Sequence, residues 1–402
     1  MDVIVVGAGI IGLATAWELH RRGAAVTVID PHPGSGATAA AAGMIAPAAE
    51  IAWGQTPLFP LMRASADLYP DFTAALTRES GADLGETATA TLVCAGDRAD
   101  LTALRELSTL QSAAGSDLEL LTGSRARDLE PALAPGVCGA VLIPGDHAID
   151  PRRVTRALLT VLGDRVIEDR VTGLVGDEGS PTGAASARTT GVELASGCRL
   201  HADQVVLAAG MAHNAIAGAP ELPLRAVHGD VIRLRSDPGA PPLLTRTIRG
   251  LVAGRPVYVV PRPDGELVLG ATSREDGQAG ILAEGVHRLL HDAERLVPGL
   301  LGCEITEITA RARPGSPDDL PLLGRTDPGL VVSTGYFRHG VLLAPFGARL
   351  GADLVVGADS AWLPVGAREA VAPARFESDH SPSSPQSPAA PLLTALTARK
   401  GS

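Results

Sequence analysis

The sequence predicts an α/β fold built on a parallel sheet, and three observations support this. An apolar run of strand length, DVIVV (2–6), leads through the glycine-rich GAGIIG (7–12) into a segment with helical apolar spacing. A second strand pattern, AVTVID (25–30), follows after Gly23. Further strand patterns occur far downstream, in RVIEDRVTGLV (165–175) and CRLHADQVVLAAG (198–210). We therefore expect a sheet assembled from separated stretches of the chain.

Length, charge and cysteine usage bound the function. With 402 residues and 45% hydrophobic composition, the chain can bury a large core and is expected to form two domains. The net charge of -11 and the lack of a basic stripe argue against a nucleic-acid partner. The four cysteines are far apart and form no CxxC motif, so neither a disulfide framework nor a zinc site is indicated. No metal is expected, and a cytoplasmic location fits best.

A membrane location is not indicated either. The N-terminus is apolar, but it lacks the basic segment of a signal peptide and carries closely spaced glycines. The alanine-rich stretch 37–52 is interrupted by Gly43 and Pro47 and is only weakly apolar. We therefore expect no contact with a membrane.

The motif GAGIIG predicts a dinucleotide site because of where it lies, between a strand and a helix. Gly7 allows the tight turn, Gly9 lets the backbone approach a pyrophosphate, and Gly12 permits close packing of helix on strand. The N-terminus of the helix offers N–H groups and a positive dipole end to the phosphates. Asp30, at the end of the second strand, is placed to accept hydrogen bonds from ribose hydroxyls.

The segment GSGATAAAAGMIAP (34–47) is the second candidate ligand-lining element. Its small residues let the backbone lie close to an extended ligand, and Ser35 and Thr38 can donate hydrogen bonds to phosphate oxygens. A surface loop would usually carry more charge. The fingerprint alone leaves open whether the dinucleotide is NAD or FAD.

Several motifs together identify a family. In order along residues 1–376 they are GAGIIG, Asp30, AAAAGMIAP, VVLAAG, YVVPR (258–262), LVLGAT (267–272), RPGSPDDLPLLG (313–324) and GYFRHGVLLAP (335–345). With these motifs the chain resembles the D-amino-acid oxidase superfamily of flavoproteins, and within it the glycine oxidases that serve thiamine biosynthesis in many bacteria. The last two motifs together are the most specific.

The resemblance implies a two-domain organisation. A Rossmann-like FAD-binding domain would comprise residues 1–80, 140–215 and 320–376. An α+β substrate domain on an antiparallel sheet would comprise residues 81–139 and 216–319. Residues 377–402 are rich in Ser and Pro and are expected to be a disordered tail.

The resemblance also implies a cofactor site for non-covalent FAD. Relatives that tether FAD do so through a cysteine near the position held here by Arg311, and none stands there. The residues expected to contact FAD are Gly7, Gly9, Ile10, Ile11, Gly12, Asp30, Thr38, Ala41, Ala42, Gly43, Met44, Val171, Ala209, Gly210, Arg338, His339, Gly340, Val341 and Leu342.

Three further residues are expected to bind the substrate. By the resemblance, Arg313 is the main ligand of an α-carboxylate, Tyr258 donates its phenol and Arg338 assists. A planar guanidinium suits this task because it fixes two carboxylate oxygens at once. The turn Arg338-His339-Gly340 would let the following helix direct its N–H groups at the flavin ring, where negative charge develops on reduction.

The implied reaction is the oxidation of glycine or a similar small amine to an imine. The imine hydrolyses to an oxo acid and ammonia, and O₂ is reduced to H₂O₂. The resemblance leaves open a homo-oligomer and a hand-over of the imine to thiazole synthase. Pro256 and Ser273 depart from residues common in relatives, which leaves the preferred amine less certain than the family.

Other functions remain open at this point. Within the family, the chain could be a D-amino-acid or sarcosine-like oxidase, or a dehydrogenase that passes electrons to a quinone. A tRNA-modifying oxidase would share the fold, but the acidic charge argues against it. A non-catalytic nucleotide-binding sensor would keep GAGIIG without needing Arg313, Tyr258 and Arg338.

Overall fold

The structure, a computed structural model, describes residues 1–55, 57–87, 90–176 and 188–379. The predicted disordered tail, 377–402, lies outside these residues from position 380 onward. Its first three residues end a 3₁₀-helix, Pro373–Asp379.

The chain alternates between strands and helices. The strands are β1 (Asp2–Val6), β2 (Ala25–Ile29), β3 (Met44–Ile45), β4 (Thr91–Ala95), β5 (Glu119–Thr122), β6 (Gly139–Ile143), β7 (His147–Ala148), β8 (Val166–Ile167), β9 (Val171–Gly176), β10 (Thr189–Leu194), β11 (Arg199–His201), β12 (Gln204–Leu207), β13 (Arg225–Arg235), β14 (Thr247–Val252), β15 (Arg255–Pro261), β16 (Glu266–Gly270), β17 (Glu304–Gly315), β18 (Leu322–Asp327) and β19 (Leu330–Thr334). The α-helices are α1 (Ile10–Arg21), α2 (Ala37–Ala40), α3 (Leu58–Ser80), α4 (Arg98–Ala113), α5 (Gly123–Leu129), α6 (Pro151–Leu162), α7 (Ala283–Leu296), α8 (Ala344–Val356) and α9 (Ala367–Val371). Further 3₁₀-helices span Gly163–Arg165, Gly210–Ala215, Pro298–Gly302 and Phe337–His339.

The first sheet is the expected nucleotide-binding sheet. Its strand order is β18-β19-β12-β1-β2-β8, parallel except for the pairing of β18 with β19. Strand β1 is buried beyond Asp2 because β2 and β12 flank it and α1 packs on the sheet together with α6 and α8. Buried parallel strands are typically such short apolar runs. The loops after β1, β2 and β12 meet at one edge of the sheet, where ligands bind in this class of fold.

The second sheet is mostly antiparallel. Its order is β17-β13-β16-β15-β14-β4-β6-β5, with one parallel pair, β14 and β4. The α/β class and the antiparallel second sheet are thus confirmed. The predicted boundary at residue 140 cuts strand β6, whose partners are β4 and β5. The domain division as a whole stays a prediction.

The sequence patterns match the elements unevenly. The first and second strands lie within one residue of their predicted bounds, and the first helix follows the glycine motif directly. Asp150 caps α6, with Pro151 in its first turn. The pattern 165–175, however, forms two strands, β8 and β9, in different sheets. The pattern 198–210 likewise divides into β11 and β12. Hydrophobic alternation does not report which sheet a strand joins, since that depends on tertiary pairing.

Membrane spans were also sought in the helices of the described residues. None is both long and apolar enough to cross a bilayer.

Candidate active site

The nucleotide end of the site is shaped by backbone. Gly7 has φ +105° and follows β1. A Cβ at Gly12 would overlap the carbonyl of Gly7, so only glycine allows this turn to pack on α1. The N–H of Ile10 donates to Thr38 Oγ1 at 3.1 Å, and Asp30 Oδ2 accepts from the N–H of Ala8 at 2.7 Å. The loop is therefore fixed by the residues expected to meet the nucleotide.

Arginines hold the small-residue segment against the second sheet. Arg262, which is buried, donates to the carbonyl of Ala42 at 2.5 Å and to that of Ile149 at 2.7 Å. Arg152 donates to the carbonyl of Ala39 at 2.7 Å, and Arg233 reaches the same oxygen at 3.3 Å. Most residues of the segment are Gly or Ala, so its backbone carbonyls, held by these arginines, fix its position.

The register of the second sheet places the expected substrate residues on one face. Residues paired across strands point to the same side, and so do residues two apart on a strand. Tyr258 pairs with Gly270 and with Arg249, and Gly270 pairs with Val231. Gly229 and Val227 precede Val231 on β13 by two and four residues, so they lie on the same face. Val227 pairs with Arg313, which places Arg313 on that face too. This face turns toward the small-residue segment.

Two glycines leave room for the functional side chains. A Cβ at Gly229 would lie 2.6 Å from Arg313 Cζ, and a Cβ at Gly270 would lie 2.5 Å from Tyr258 Cζ. Both separations are shorter than any real contact, so the guanidinium and the phenol rest on bare backbone. Their placement depends on Gly229 and Gly270, which the sequence analysis did not single out.

Burial shifts the pKa values of both Arg313 and Tyr258. Arg313 Nη1 donates to the carbonyl of Thr272 at 3.2 Å, and the rest of the guanidinium faces the cavity. Burial lowers the pKa of Arg313 from its ordinary value but leaves it charged, since that value is very high. Burial also raises the pKa of Tyr258, so its phenol stays protonated and can donate a hydrogen bond.

Arg338 lies in a strained turn. Gly335 has φ +75° and Phe337, a bulky residue, has φ +47°. The turn brings Arg338 Nε to His339 Nε2 at 3.2 Å and its Nη2 to Gln55 Oε1 at 3.3 Å. Arg338 thus reaches the cavity from the side of the first sheet, opposite Arg313.

Glu50 links these cations, and the sequence analysis missed it. It is buried and contacts Arg249, Arg338 and His339. Burial favours the neutral acid, but the neighbouring cations prevail and lower the pKa of Glu50 to about 2. Burial lowers the pKa of His339 to about 3, so this ring is neutral and its Nε2 accepts from Arg338. A buried acid among arginines gives no sequence signal, because Glu50 and Arg249 are distant in the chain.

The turn after Arg338 presents unpaired backbone donors. Within the described residues, no group accepts a hydrogen bond from the N–H of Gly340, Val341 or Leu342, and all three residues line the cavity. Helix α8 itself begins at Ala344, one short turn later than the expected start. Such donors suit the part of a cofactor that gains negative charge.

One cavity of about 820 Å³ collects most of the predicted residues. Among its walls are Gly7, Gly9, Ile10, Ile11, Asp30, Thr38, Ala41, Ala42, Gly43, Met44, Ala209, Gly210, Tyr258, Arg313, Arg338, His339, Gly340, Val341 and Leu342. Gly12 and Val171 lie outside the wall, Gly12 packing against Gly7 and Val171 within the core behind the first sheet. Glu50 and Arg249, which no sequence motif indicated, also line the cavity.

The cavity fits a bound dinucleotide. One end of the cavity is lined by the glycine-rich loops after strands β1 and β12. The unpaired N–H donors of residues 340–342 line another part of its wall. All four cysteines are within the described residues and none lines the cavity, which agrees with the expected non-covalent binding. That mode of binding stays a prediction.

Comparison with known proteins decides the family. The family described as FAD dependent oxidoreductase matches residues 2–354, most of the chain. The chain belongs to this D-amino-acid oxidase family of FAD-dependent oxidoreductases. Among curated relatives of this oxidoreductase, a glycine oxidase of Geobacillus kaustophilus is 32% identical over 369 residues, covering 90% of this chain and 94% of the relative.

Two other similarities complete the comparison. The bifunctional protein ThiO/ThiG of Nostoc sp. is 32% identical over 363 residues, which cover 88% of this chain. The chain spans about half (52%) of that relative's length. The crystal structure of glycine oxidase from Geobacillus kaustophilus superposes with a TM-score of 0.82 at 29% identity, covering 93% of this chain and 98% of that one. FAD dependence and the fold expected from the resemblance are thereby confirmed.

Proposed function

We propose that this FAD-dependent oxidoreductase oxidises glycine, or a similarly small amino acid, to the imine, with O₂ as the electron acceptor. Water then hydrolyses the imine to the oxo acid and ammonia, and O₂ is reduced to H₂O₂. The observation that carries the proposal is the convergence of Arg313, Tyr258 and Arg338 on one cavity. The glycine oxidases among the relatives support the substrate class.

The chain's cations would bind the carboxylate of the substrate. Arg313 uses one N–H to reach Thr272, which leaves the other face of its fork for carboxylate oxygens. The protonated phenol of Tyr258 would donate to the same group. Arg338 would close the site from the opposite wall, held by Glu50 and Gln55. Fixing the carboxylate on two sides orients the carbon that loses hydrogen.

The described residues of the cavity wall include no free base, so we propose that the substrate reacts as the neutral amine. The carboxylates in the described wall are Asp30, bonded to backbone N–H groups, and Glu50, paired with Arg249. His339 is neutral, but its Nε2 accepts from Arg338. The protein therefore orients and desolvates the amine rather than removing its proton.

The FAD would lie along residues 7–12 and 34–44, with its ring beside residues 338–342. Bound there, FAD supplies the two-electron acceptor for amine oxidation and returns to its oxidised form with O₂. The N–H groups of Gly340, Val341 and Leu342 would stabilise negative charge at that position. The domain division inferred from the sequence belongs to this proposal.

The biological setting is proposed from the relatives' names. A fused ThiO/ThiG relative supports a role in thiamine thiazole synthesis and a hand-over of the imine to a thiazole synthase. A homo-oligomer and a cytoplasmic location also belong to this proposal.

An anaerobic substrate screen tests the function. The purified holoenzyme is mixed under nitrogen with glycine, sarcosine or D-alanine while flavin absorbance is followed, and O₂ is then admitted with measurement of H₂O₂. We expect bleaching by at least one of these amines and one peroxide per substrate oxidised. Flavin bleaching without H₂O₂ formation would show that the electron acceptor is not O₂. No bleaching by any amine would contradict the proposal and favour a nucleotide-binding sensor.

A further inference from the structure

Asp230 lies behind the proposed carboxylate site and is fully buried. It is on β13 between Gly229 and Val231, which both line the cavity. Because side chains alternate along a strand, the carboxylate of Asp230 points to the opposite face of the sheet, toward α7. A Cβ at Gly285, in the first turn of α7, would overlap its Oδ2. A charge without access to water needs polar partners, and those of Asp230 lead back to Arg313.

Thr272 connects Asp230 with Arg313. The N–H of Asp230 donates to Thr272 Oγ1 at 2.7 Å, and the same hydroxyl donates to Asp230 Oδ2 at 2.7 Å. The N–H of Thr272 donates to the carbonyl of Asp230 at 3.3 Å. The carbonyl of Thr272 in turn accepts from Arg313 Nη1 at 3.2 Å. Within the described residues this is the only hydrogen bond of the Arg313 side chain, so the guanidinium is oriented through Thr272.

Arg274 holds the other carboxylate oxygen of Asp230. Its Nη2 donates to Asp230 Oδ1 at 3.2 Å and to the carbonyl of Gly280 at 2.9 Å, and its Nη1 donates to the carbonyl of Gln278 at 3.0 Å. These bonds tie the connection between β16 and α7 to Asp230. The first three residues of that connection, 271–273, line the cavity. One carboxylate therefore holds this section of the cavity wall in place.

Packing alone does not require an acid at this position. A buried ion pair such as that of Asp230 with Arg274 costs desolvation, and well-packed apolar residues of similar volume are often equally stable. What the carboxylate adds is direction, since its two oxygens face Thr272 and Arg274 separately. Its charge also acts on Arg313, because burial lowers the pKa of that guanidinium and Asp230 is among the groups that oppose the shift. The arrangement thus favours a role in ligand binding.

We propose that Asp230 is a positioning residue for the substrate carboxylate and acts through Thr272 on Arg313. The inference rests on the proposed function in one respect, namely that Arg313 binds the carboxylate. In the bound state the guanidinium would offer the substrate the N–H groups that Thr272 does not use. Without the carboxylate of Asp230, Thr272 is free to shift, and the fork of Arg313 turns away from the orientation that two carboxylate oxygens require.

Acetate binding tests the inference without turnover. Acetate has the carboxylate of glycine but no amine, and its binding to the holoenzyme is followed by the change in flavin absorbance. In Asp230→Asn, which keeps the volume and removes the charge, we expect the Kd for acetate and the KM for glycine each to rise about tenfold. FAD content should stay near wild type, because Asp230 does not line the cavity.

The Arg313→Ala background shows whether Asp230 acts through Arg313. If it does, adding Asp230→Asn to Arg313→Ala should change the KM for glycine by less than about twofold. A merely structural role would give about the same tenfold increase in both backgrounds. Asp292→Asn is the matched control, since Asp292 is also a buried acid and pairs with Arg255, and neither residue lines the cavity. It should leave the Kd for acetate and the KM for glycine unchanged.

Thr272→Val is a second test, which does not depend on the folding of Asp230→Asn. Valine keeps the shape of threonine but lacks the hydroxyl that pairs with both the N–H and the carboxylate of Asp230. We expect the Kd for acetate to rise about fivefold. Thr272→Ser retains the hydroxyl, so its Kd should lie between those of Thr272→Val and wild type.

The outcomes separate this inference from the proposed function. An unchanged Kd for acetate in both Asp230→Asn and Thr272→Val would overturn the inference, and so would equal losses in Asp230→Asn and Asp292→Asn. Either result leaves amine oxidation intact. If no amine reduces the flavin but acetate binds more weakly to Asp230→Asn than to wild type, amine oxidation fails while Asp230 keeps its positioning role. If the wild type neither binds acetate nor is reduced by any amine, both proposals fail.

Discussion

The two walls of the cavity are built in different ways. The nucleotide wall is made of backbone and small residues, with glycines at positions 7 and 9 and alanines at positions 37 and 40–42. The proposed substrate wall is made of long side chains, Arg249, Tyr258 and Arg313, which reach the cavity from separate strands of the second sheet. Arg338 faces them from a turn after the first sheet. A ligand on the first wall is recognised by main-chain geometry, and on the second by charge.

The difference predicts opposite responses to substitution. A backbone site fails when a side chain intrudes, and the failure extends to the fold because backbone cannot move aside cheaply. A site of side chains can lose one group and keep its fold, because the cost falls on ligand binding. Single substitutions in each wall should therefore separate activity from stability.

Removing Arg313 should give the largest effect. In Arg313→Ala the substrate carboxylate would lose the guanidinium that we propose as its main charged partner. We therefore expect kcat/KM for glycine to fall roughly 1,000-fold, or about 4 kcal/mol, mainly through KM. FAD content and melting temperature should stay near wild type. Steady-state kinetics and the flavin spectrum measure both.

Arg235→Ala is the matched control for that change. Arg235 lies on the same sheet, in β13, but is exposed and does not line the cavity. It should keep wild-type kinetics. An unchanged KM in Arg313→Ala would remove Arg313 from the site.

Gly12→Ala should damage the fold through the nucleotide wall. The new Cβ would overlap the carbonyl of Gly7, which is backbone, so α1 and the loop must separate. We expect a loss of about 3 kcal/mol in unfolding free energy together with loss of FAD. At Gly9 the nearest atom to a new Cβ is Thr38 Oγ1 at 3.6 Å, so Gly9→Ala should weaken FAD binding but spare the stability of the apoprotein. Denaturation with and without added FAD compares the two; equal stability losses would contradict this distinction.

The sequence could predict the nucleotide wall because its information is local. The strand, the glycine spacing, the helix and Asp30 occur within the first 30 residues, and the structure keeps their bounds. Arg313, Tyr258 and Arg338, the proposed substrate ligands, were predicted only through the family resemblance. Glu50, Gly229 and Gly270 were not predicted because their importance arises from strand register and from the turn with positive φ at Phe337, neither of which has a local pattern.

Gly229→Ala sharpens the comparison because its clash is with a side chain. The new Cβ would meet the guanidinium of Arg313, which can swing away, rather than backbone. We expect KM for glycine to rise about tenfold, worth about 1.4 kcal/mol, with little change in melting temperature. Gly302→Ala, where a Cβ would meet nothing within 4 Å, serves as the control and should leave both unchanged. A loss of stability without a change in KM would show that Gly229 serves packing alone.

The smallest effect concerns Asp146, a buried acid behind the substrate wall. It is 2% exposed, and its Oδ2 has no hydrogen-bond partner in the part of the chain that the structure describes. Burial raises the pKa of Asp146 to about 7, with Glu50 adding to the rise and Arg249 opposing it. Ionising Asp146 in the folded protein therefore costs unfolding free energy.

The sign of the pH dependence follows from that raised pKa. The unfolded chain releases the proton of Asp146 near pH 4, whereas the folded protein keeps it until about pH 7. Raising the pH from 5 to 7 therefore favours the unfolded chain, and the stability contribution of Asp146 declines over this interval. Asp146→Asn cannot titrate, so the unfolding free energy of wild type relative to the variant should fall by about 1 kcal/mol between pH 5 and pH 6. Parallel denaturation curves at both pH values measure this difference. A constant or rising difference would mean that Asp146 is already ionised in the folded protein and is stabilised by the positive charge of Arg249.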